Sequence, residues 1–233
     1  NQHHHKKYLF QIQYNITTEA TITGGAMKHS LLPYIIIISS VFLSSVSIHS
    51  EERKEPKINL RPYCKIVSLP EIEELPGIVI REKKWNQGFF GHSTINHDYE
   101  EDIIEDDKVV IDHATGLMWH QSGSFKNMSW KKAKKWVTKL NENGYAGFTD
   151  WRLPTLEEAA SLLEPSAKNG NQFIDPAFDK TQSRVWTCDS NISSSSLSLD
   201  RAWSVNFNYS LVSRKEIMIE RMKIRPVRVY SDN

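Results

Sequence analysis

The chain is predicted to fold as an α+β domain. Three observations carry that expectation. Two stretches, one between Ser129 and Gly144 and one between Thr155 and Pro165, place apolar residues at helical spacing behind a hydroxyl residue suited to an N-cap. Short β-branched or alternating segments surround them, which implies a small antiparallel sheet rather than a βαβ repeat. The corner Thr149-Asp150-Trp151-Arg152-Leu153-Pro154-Thr155-Leu156-Glu157-Glu158 joins the two kinds of structure. Pro154 lacks an N–H and pushes Leu153 out of the helical region. Thr155 and Glu158 then have the spacing of a capping box, and Leu156, Ala159, Ala160, Leu162 and Leu163 form a narrow apolar stripe up to Pro165.

The rest of the chain divides by composition. Residues 1–26 are polar, lack a sustained period and read as upstream sequence outside the fold. Met27 opens a basic start, an apolar run from Leu31 to Leu43, and small residues at Ser45, Ser47 and Ser50, so residues 27–50 read as a signal peptide. The run is Ser-broken and shorter than the ~20 apolar residues of a membrane span; an uncleaved N-terminal anchor is the competing reading. The expected location is therefore outside the cytosol: periplasmic, cell-surface or secreted. With residues 1–50 set aside, the formal charge falls from +1 to −1, because Lys6, Lys7, Lys28 and Glu19 leave with them. Such a balance gives no general pull on nucleic acid. Cys64 and Cys188 are either a disulfide or two separate thiols; their number and spacing make no zinc site.

Residues 51–107 read as an N-terminal arm and loop, punctuated by Pro56, Pro62, Pro70 and Pro76. Within it, Asp98, Glu100, Glu101, Asp102, Glu105, Asp106 and Asp107 read as a solvated acidic turn rather than a calcium loop, since EF-hand spacing and glycine are missing. Lys108–Asp112 and Leu117–Trp119 read as strands around a turn in which Gly116 takes positive φ. In the first helix, Trp130, Ala133, Trp136, Val137 and Leu140 point inward, while Lys131, Lys132, Lys134, Lys135 and Lys139 crowd the other faces. Further strands are expected at Arg184–Cys188, at Ala202–Phe207 as a half-buried alternation, and at Ile224–Val229, where Pro226 marks an edge or bulge.

Several of these residues form an ordered set: Thr115-Gly116-Leu117-Met118-Trp119, Trp130 with Ala133, Asp150-Trp151-Arg152-Leu153-Pro154-Thr155, Val185-Trp186-Thr187, Ala202-Trp203, and Arg225-Pro226-Val227-Arg228. The set resembles the C-terminal domain of Legionella collagen-like protein (Lcl), a bacterial family long catalogued as a domain of unknown function. The resemblance covers residues 108–230 and implies a C-type-lectin-like scaffold, two helices on a small twisted antiparallel sheet. Trp119, Trp151, Arg152, Pro154, Thr155, Glu158, Trp186, Trp203, Arg225 and Arg228 then belong to its structural motif. The Gly-x-y repeats of the name-giving protein are absent, so its trimeric stalk does not carry over.

The family implies adhesion through sulfated glycosaminoglycan. The expected function is thus an exported module binding a sulfated glycan or surface polysaccharide. Lys131, Lys132, Lys134, Lys135 and Lys139 are the candidate contacts, with Arg214 and Lys215 as additions; the competing reading of the lysine row is an ordinary solvated helix face. The alternative is a structural or partner-binding envelope protein. Arg-Leu-Pro-Thr also occurs in relatives of formylglycine-generating enzyme, but their reactive cysteine pair is missing, and Asp150, Glu157 and Arg152 read as caps and a structural Asp–Arg pair. No catalysis, cofactor or metal is expected. The tryptophans read as core rather than as sugar platforms, and Glu164-Pro165-Ser166 as a helix terminator rather than a calcium–sugar motif.

Overall fold

A computed structural model of the protein describes residues 58–84, 88–191 and 200–231. All of them fall in one compact unit, residues 53–233. The expected upstream segment, the expected signal peptide and Trp85 lie outside the described residues. No helix among those described is long and apolar enough to cross a membrane.

The α+β class holds, with the strands shared between two antiparallel sheets. The first contains β1 (Ile78–Lys84), β2 (Gly88–Ser93), β6 (Arg184–Asn191), β7 (Arg201–Asn206) and β8 (Leu211–Glu216), in the order β1-β2-β8-β7-β6. The second contains β3 (Tyr99–Ile104), β4 (Asp107–Asp112), β5 (Leu117–His120) and β9 (Val227–Val229), in that order. Two helices, α1 (Trp130–Glu142) and α2 (Leu156–Ser161), pack on them.

Two clusters of buried side chains make the core. In one, Leu156, Ala159, Ala160 and Leu163 meet Phe89, Val110, Trp119, Trp203, Val205 and Val212. In the other, Trp130, Ala133, Val137 and Leu140 of α1 meet Val109, Ile111, Met118, Trp186 and Ala202. Alternate residues of β4 and β7 thus enter opposite clusters. That corrects the half-buried reading of residues 202–207: every residue from Ala202 to Phe207 is buried, because both faces of the strand are covered.

Other differences share a physical cause, which is contact with distant parts of the chain. Residues 58–75 are no arm. Leu60, Val67, Ile72 and Leu75 enter the first cluster, and Val67 N–H donates to the Ser190 carbonyl at 3.0 Å. Residues 99–104 form a strand, and only Glu105 and Asp106 turn. Both have positive φ, 50° and 71°, as a two-residue hairpin of type I′ requires. The acids remain solvated, and as an exposed edge strand they resist pairing with another chain. Helix α2 ends at Ser161, short of the expected stop at Pro165, and its stripe is not narrow: Glu157, Glu158 and Ser161 are buried too. The positive φ foreseen for Gly116 is present at 66°, and Gly144 follows α1 at 67°.

Cys64 and Cys188 are joined in a disulfide across a sequence separation of 124. A loop that long removes much unfolded-state entropy, ~3–5 kcal/mol by the chain-entropy argument. Replacing both residues with alanine is expected to lower stability by about that amount. Denaturant unfolding measures it, and an unchanged midpoint would show that packing of residues 58–75 suffices without the covalent tie.

Candidate functional site

Two features stand out: a buried ionic corner at the start of α2, and an exposed basic face on α1. At the corner, Thr155 Oγ1 accepts from Glu158 N–H at 3.2 Å and Glu158 Oε2 accepts from Thr155 N–H at 2.8 Å, completing the capping box. Glu158 also receives Arg152 Nη1 and Nη2 at 2.7 and 2.6 Å. Asp150 pairs with Arg228 at 2.7 Å, not with Arg152 as the sequence implied. The reason is burial. The Glu158 side chain is wholly buried and needs a cation, whereas that of Asp150 is 59% exposed and can rely on water.

Beside this box lies Asp189, also wholly buried. It accepts Arg61 Nη1 and Nη2 at 3.0 and 2.6 Å, and the backbone N–H groups of Lys65 and Leu156, each at 2.7 Å. Arg61 Nε meets Glu157 at 3.0 Å. Burial disfavours the Arg61 charge, but the bonds and charges of Asp189 and Glu157 outweigh it and hold the guanidinium above its ordinary value. Arg61, Glu157 and Asp189 escape sequence reasoning, since they lie 96 and 128 residues apart along the chain. One signal points to them: pairing the two cysteines would have set residues 61–65 against 187–189.

The basic face belongs to α1. Lys131, Lys132, Lys135 and Lys139 are exposed, and none forms an ion pair among the described residues. Lys134 is different: its ammonium lies 3.5 Å from the centre of the Trp130 ring, and partial burial lowers its pKa. No acid occupies the first turn of α1, and Ser129 takes the N-cap position without a side-chain cap bond. The lysines at that end therefore oppose the helix dipole, which favours anions there. The acidic hairpin does not neutralise them by ion pairing. It meets residues 145–147, past the far end of α1, where Asp107 Oδ2 accepts from Ala146 N–H at 2.8 Å.

The remaining candidates divide. Arg214 stands opposite Trp203 in the β7–β8 ladder, with its guanidinium 5.8 Å from that ring. Trp203 enters the α2 cluster, so Arg214 projects from the face turned away from α1. Lys215 pairs with Ala202 and shares the α1 face. The structure thus separates Arg214 from the lysine row that the sequence grouped with it.

A family model, the Lcl C-terminal domain, matches residues 108–228, just over half of the chain. The chain belongs to this family. Neither a curated protein nor a solved structure matches it. In this Lcl C-terminal domain the motif residues are structural. Trp119, Trp151, Trp186 and Trp203 are buried to 2% exposure or less. Trp151, Trp186 and Trp203 donate their indole N–H to the carbonyls of Tyr145, Met128 and Val67. Arg225 is wholly enclosed. It donates to the Gln121 and Asp179 carbonyls and faces Phe178 at 4.8 Å, and burial pushes its pKa down to about 9. Arg228 lies 3.7 Å from the Phe148 ring centre.

Asp150 is paired with Arg228, and Glu157 with Arg61. Glu164 pairs with Lys168 at 2.9 Å. Among the described residues, no group of three or more His, Cys, Asp or Glu side chains could hold a metal ion.

His120 supports the base of the helix. It stacks on Tyr145 at 4.0 Å and its Nδ1 accepts the Gly123 N–H at 3.0 Å. Burial, and then the Arg225 charge, lower its pKa to about 3. Between that value and about 6.5, the unfolded chain binds a proton that the folded domain refuses. Stability from this group is therefore full above about pH 6.5 and falls as pH drops toward 3, by up to ~1.4 kcal/mol per unit. His120→Gln should flatten that acid limb. Urea unfolding at several pH values checks the slope, and an identical slope in the variant would refute the assignment.

Proposed function

We propose that this Lcl C-terminal domain is an exported, non-catalytic module that binds a sulfated or otherwise polyanionic glycan. The observation carrying this reading is the α1 face: Lys131, Lys132, Lys135 and Lys139 are exposed and form no ion pair among the described residues, and they lie partly where the helix dipole already disfavours cations. Lys132, Lys135 and Lys139 follow one another at three- and four-residue spacing, so they share a face. From Lys132 to Lys139 the helix rises ~10 Å, enough to follow neighbouring anionic groups on a linear chain. An arriving sulfate or carboxylate would form charge-assisted hydrogen bonds and relieve repulsion among the lysines. Lys215 adds charge on the same side of the sheet; Arg214 is left out of the site.

Two further points support the reading. A disulfide linking residues 64 and 188 suits an oxidising compartment, in keeping with the signal-like segment at residues 27–50. The family resemblance implies glycosaminoglycan adhesion and a C-type-lectin-like scaffold. A partner-binding envelope role is the second reading, favoured by the exposed Met218-Ile219 turn, 76% and 68% accessible.

Heparin chromatography tests the proposal. The protein should be retained at low ionic strength and released as salt rises, because exposed charges are screened within about 10 Å at 0.1 M salt. Replacing Lys131, Lys132, Lys135 and Lys139 together by alanine should abolish retention with little loss of stability, since the four side chains are solvated. Wild-type protein that flows through at low salt would end the glycan reading and leave the envelope-partner one.

A further inference from the structure

One tryptophan differs from the others. Of the six described, Trp119, Trp130, Trp151, Trp186 and Trp203 are at most 8% exposed. Trp130, Trp151, Trp186 and Trp203 also spend their indole N–H on a backbone carbonyl. Trp136 is only partly buried, and no described residue accepts its N–H. It lies on α1 four residues after Lys132, next to Lys135 and three residues before Lys139. At that helical spacing Lys132 and Lys139 flank the indole on its own face.

The plate is backed by a rigid aromatic layer. Trp136 meets His120 at 6.1 Å, tilted by 40°. His120 stacks on Tyr145, and Tyr145 meets the edge of Trp151 at 5.6 Å. Tyr145 Oη donates to the Lys108 carbonyl at 2.7 Å, tying the layer to the second sheet. Little freedom is left to lose when a ligand arrives, so the ordering cost is small.

Resting on the glycan reading above, we propose that Trp136 is the stacking platform of a subsite for an anionic pyranose, a sulfated or uronic sugar ring. The ring's C–H face lies on the indole. Its charged substituent reaches Lys132 or Lys139, and the free indole N–H donates to a hydroxyl or sulfate oxygen. Lysines alone would take any polyanion. A wet indole among them selects a ligand with both a flat apolar face and a negative edge, which inorganic polyphosphate lacks. The sequence places Trp136 in the core with the other tryptophans; partial exposure sets it apart, since the indole N–H of Trp119 also lacks a partner but is buried.

Titration calorimetry of the whole exported chain with a heparin-derived hexasaccharide and with linear polyphosphate, at two ionic strengths, tests this. Trp136→Leu keeps an apolar contact but removes the plate; Trp136→Phe keeps a smaller plate. Trp136→Leu should weaken hexasaccharide binding about five- to tenfold, the scale of one aromatic contact. Polyphosphate affinity and the salt dependence should stay unchanged, and Trp136→Phe should recover most of the loss. Equal hexasaccharide affinity in Trp136→Leu and wild type overturns the platform. So does an equal loss for both ligands that Trp136→Phe does not restore, which would mean that the residue merely orders α1. In both cases, a lysine variant that still loses binding keeps the polyanion reading intact. Wild-type protein that binds neither ligand overturns both.

Discussion

The structure depends on one buried carboxylate. Asp189 has no solvent contact, yet it is held by a bidentate guanidinium and two backbone N–H groups from separate parts of the chain. An unpaired charge in that place would cost several kcal/mol, so none of its donors can leave alone. The constraint joins residues 61–65, the first turn of α2 and strand β6. The Cys64–Cys188 bond lies next to it in sequence on both sides, adding a covalent tie to an electrostatic one. An irregularity in β6 makes the junction reachable. Between Trp186 and Ser190 the β6–β7 register shifts, Cys188 N–H donates to the Pro154 carbonyl at 2.8 Å, and Asp189 faces the α2 corner.

Helix α1 is held by different means. It lacks a side-chain cap bond and first-turn acids, and carries lysines at its positive end, so its own sequence offers little electrostatic support. What fixes it is tertiary. Trp130 donates to the Thr187 carbonyl at 2.8 Å, Asn141 bonds both N–H and carbonyl of Trp151, and the apolar side enters the second cluster. The helix is thus anchored through one face and free to present charge on the other. That division of labour suits a binding surface, because ligand contacts need not disturb the contacts that support the fold.

Much of the corner was legible because it is local. Thr155 and Glu158 form their box within four residues, directly after Pro154, and the hydroxyl and carboxylate spacing specifies it. The lysine row and the inward positions of α1 follow equally from helical periodicity, apart from Trp136, whose exposure depends on how far neighbouring elements reach over the helix. The errors came where distance in sequence hides proximity in space. Asp150 has Arg152 as its neighbour in sequence, yet its partner is Arg228, 78 residues away. Residues 58–75 looked like an arm because their prolines and charges mask the few apolar side chains that enter the core.

The sequence by itself determined the α+β class, the family, the proline-stopped corner and the placement of lysines along one helix, since each is written in local spacing and residue chemistry. Tertiary structure alone decided that the strands form two sheets, that Arg61 and Asp189 meet, that Arg214 faces away from the lysine row, and that Trp136 remains partly open to solvent. These outcomes depend on which buried groups compete for the same partner, and on which face of a strand each neighbour covers. Neither is encoded in any short stretch of the chain.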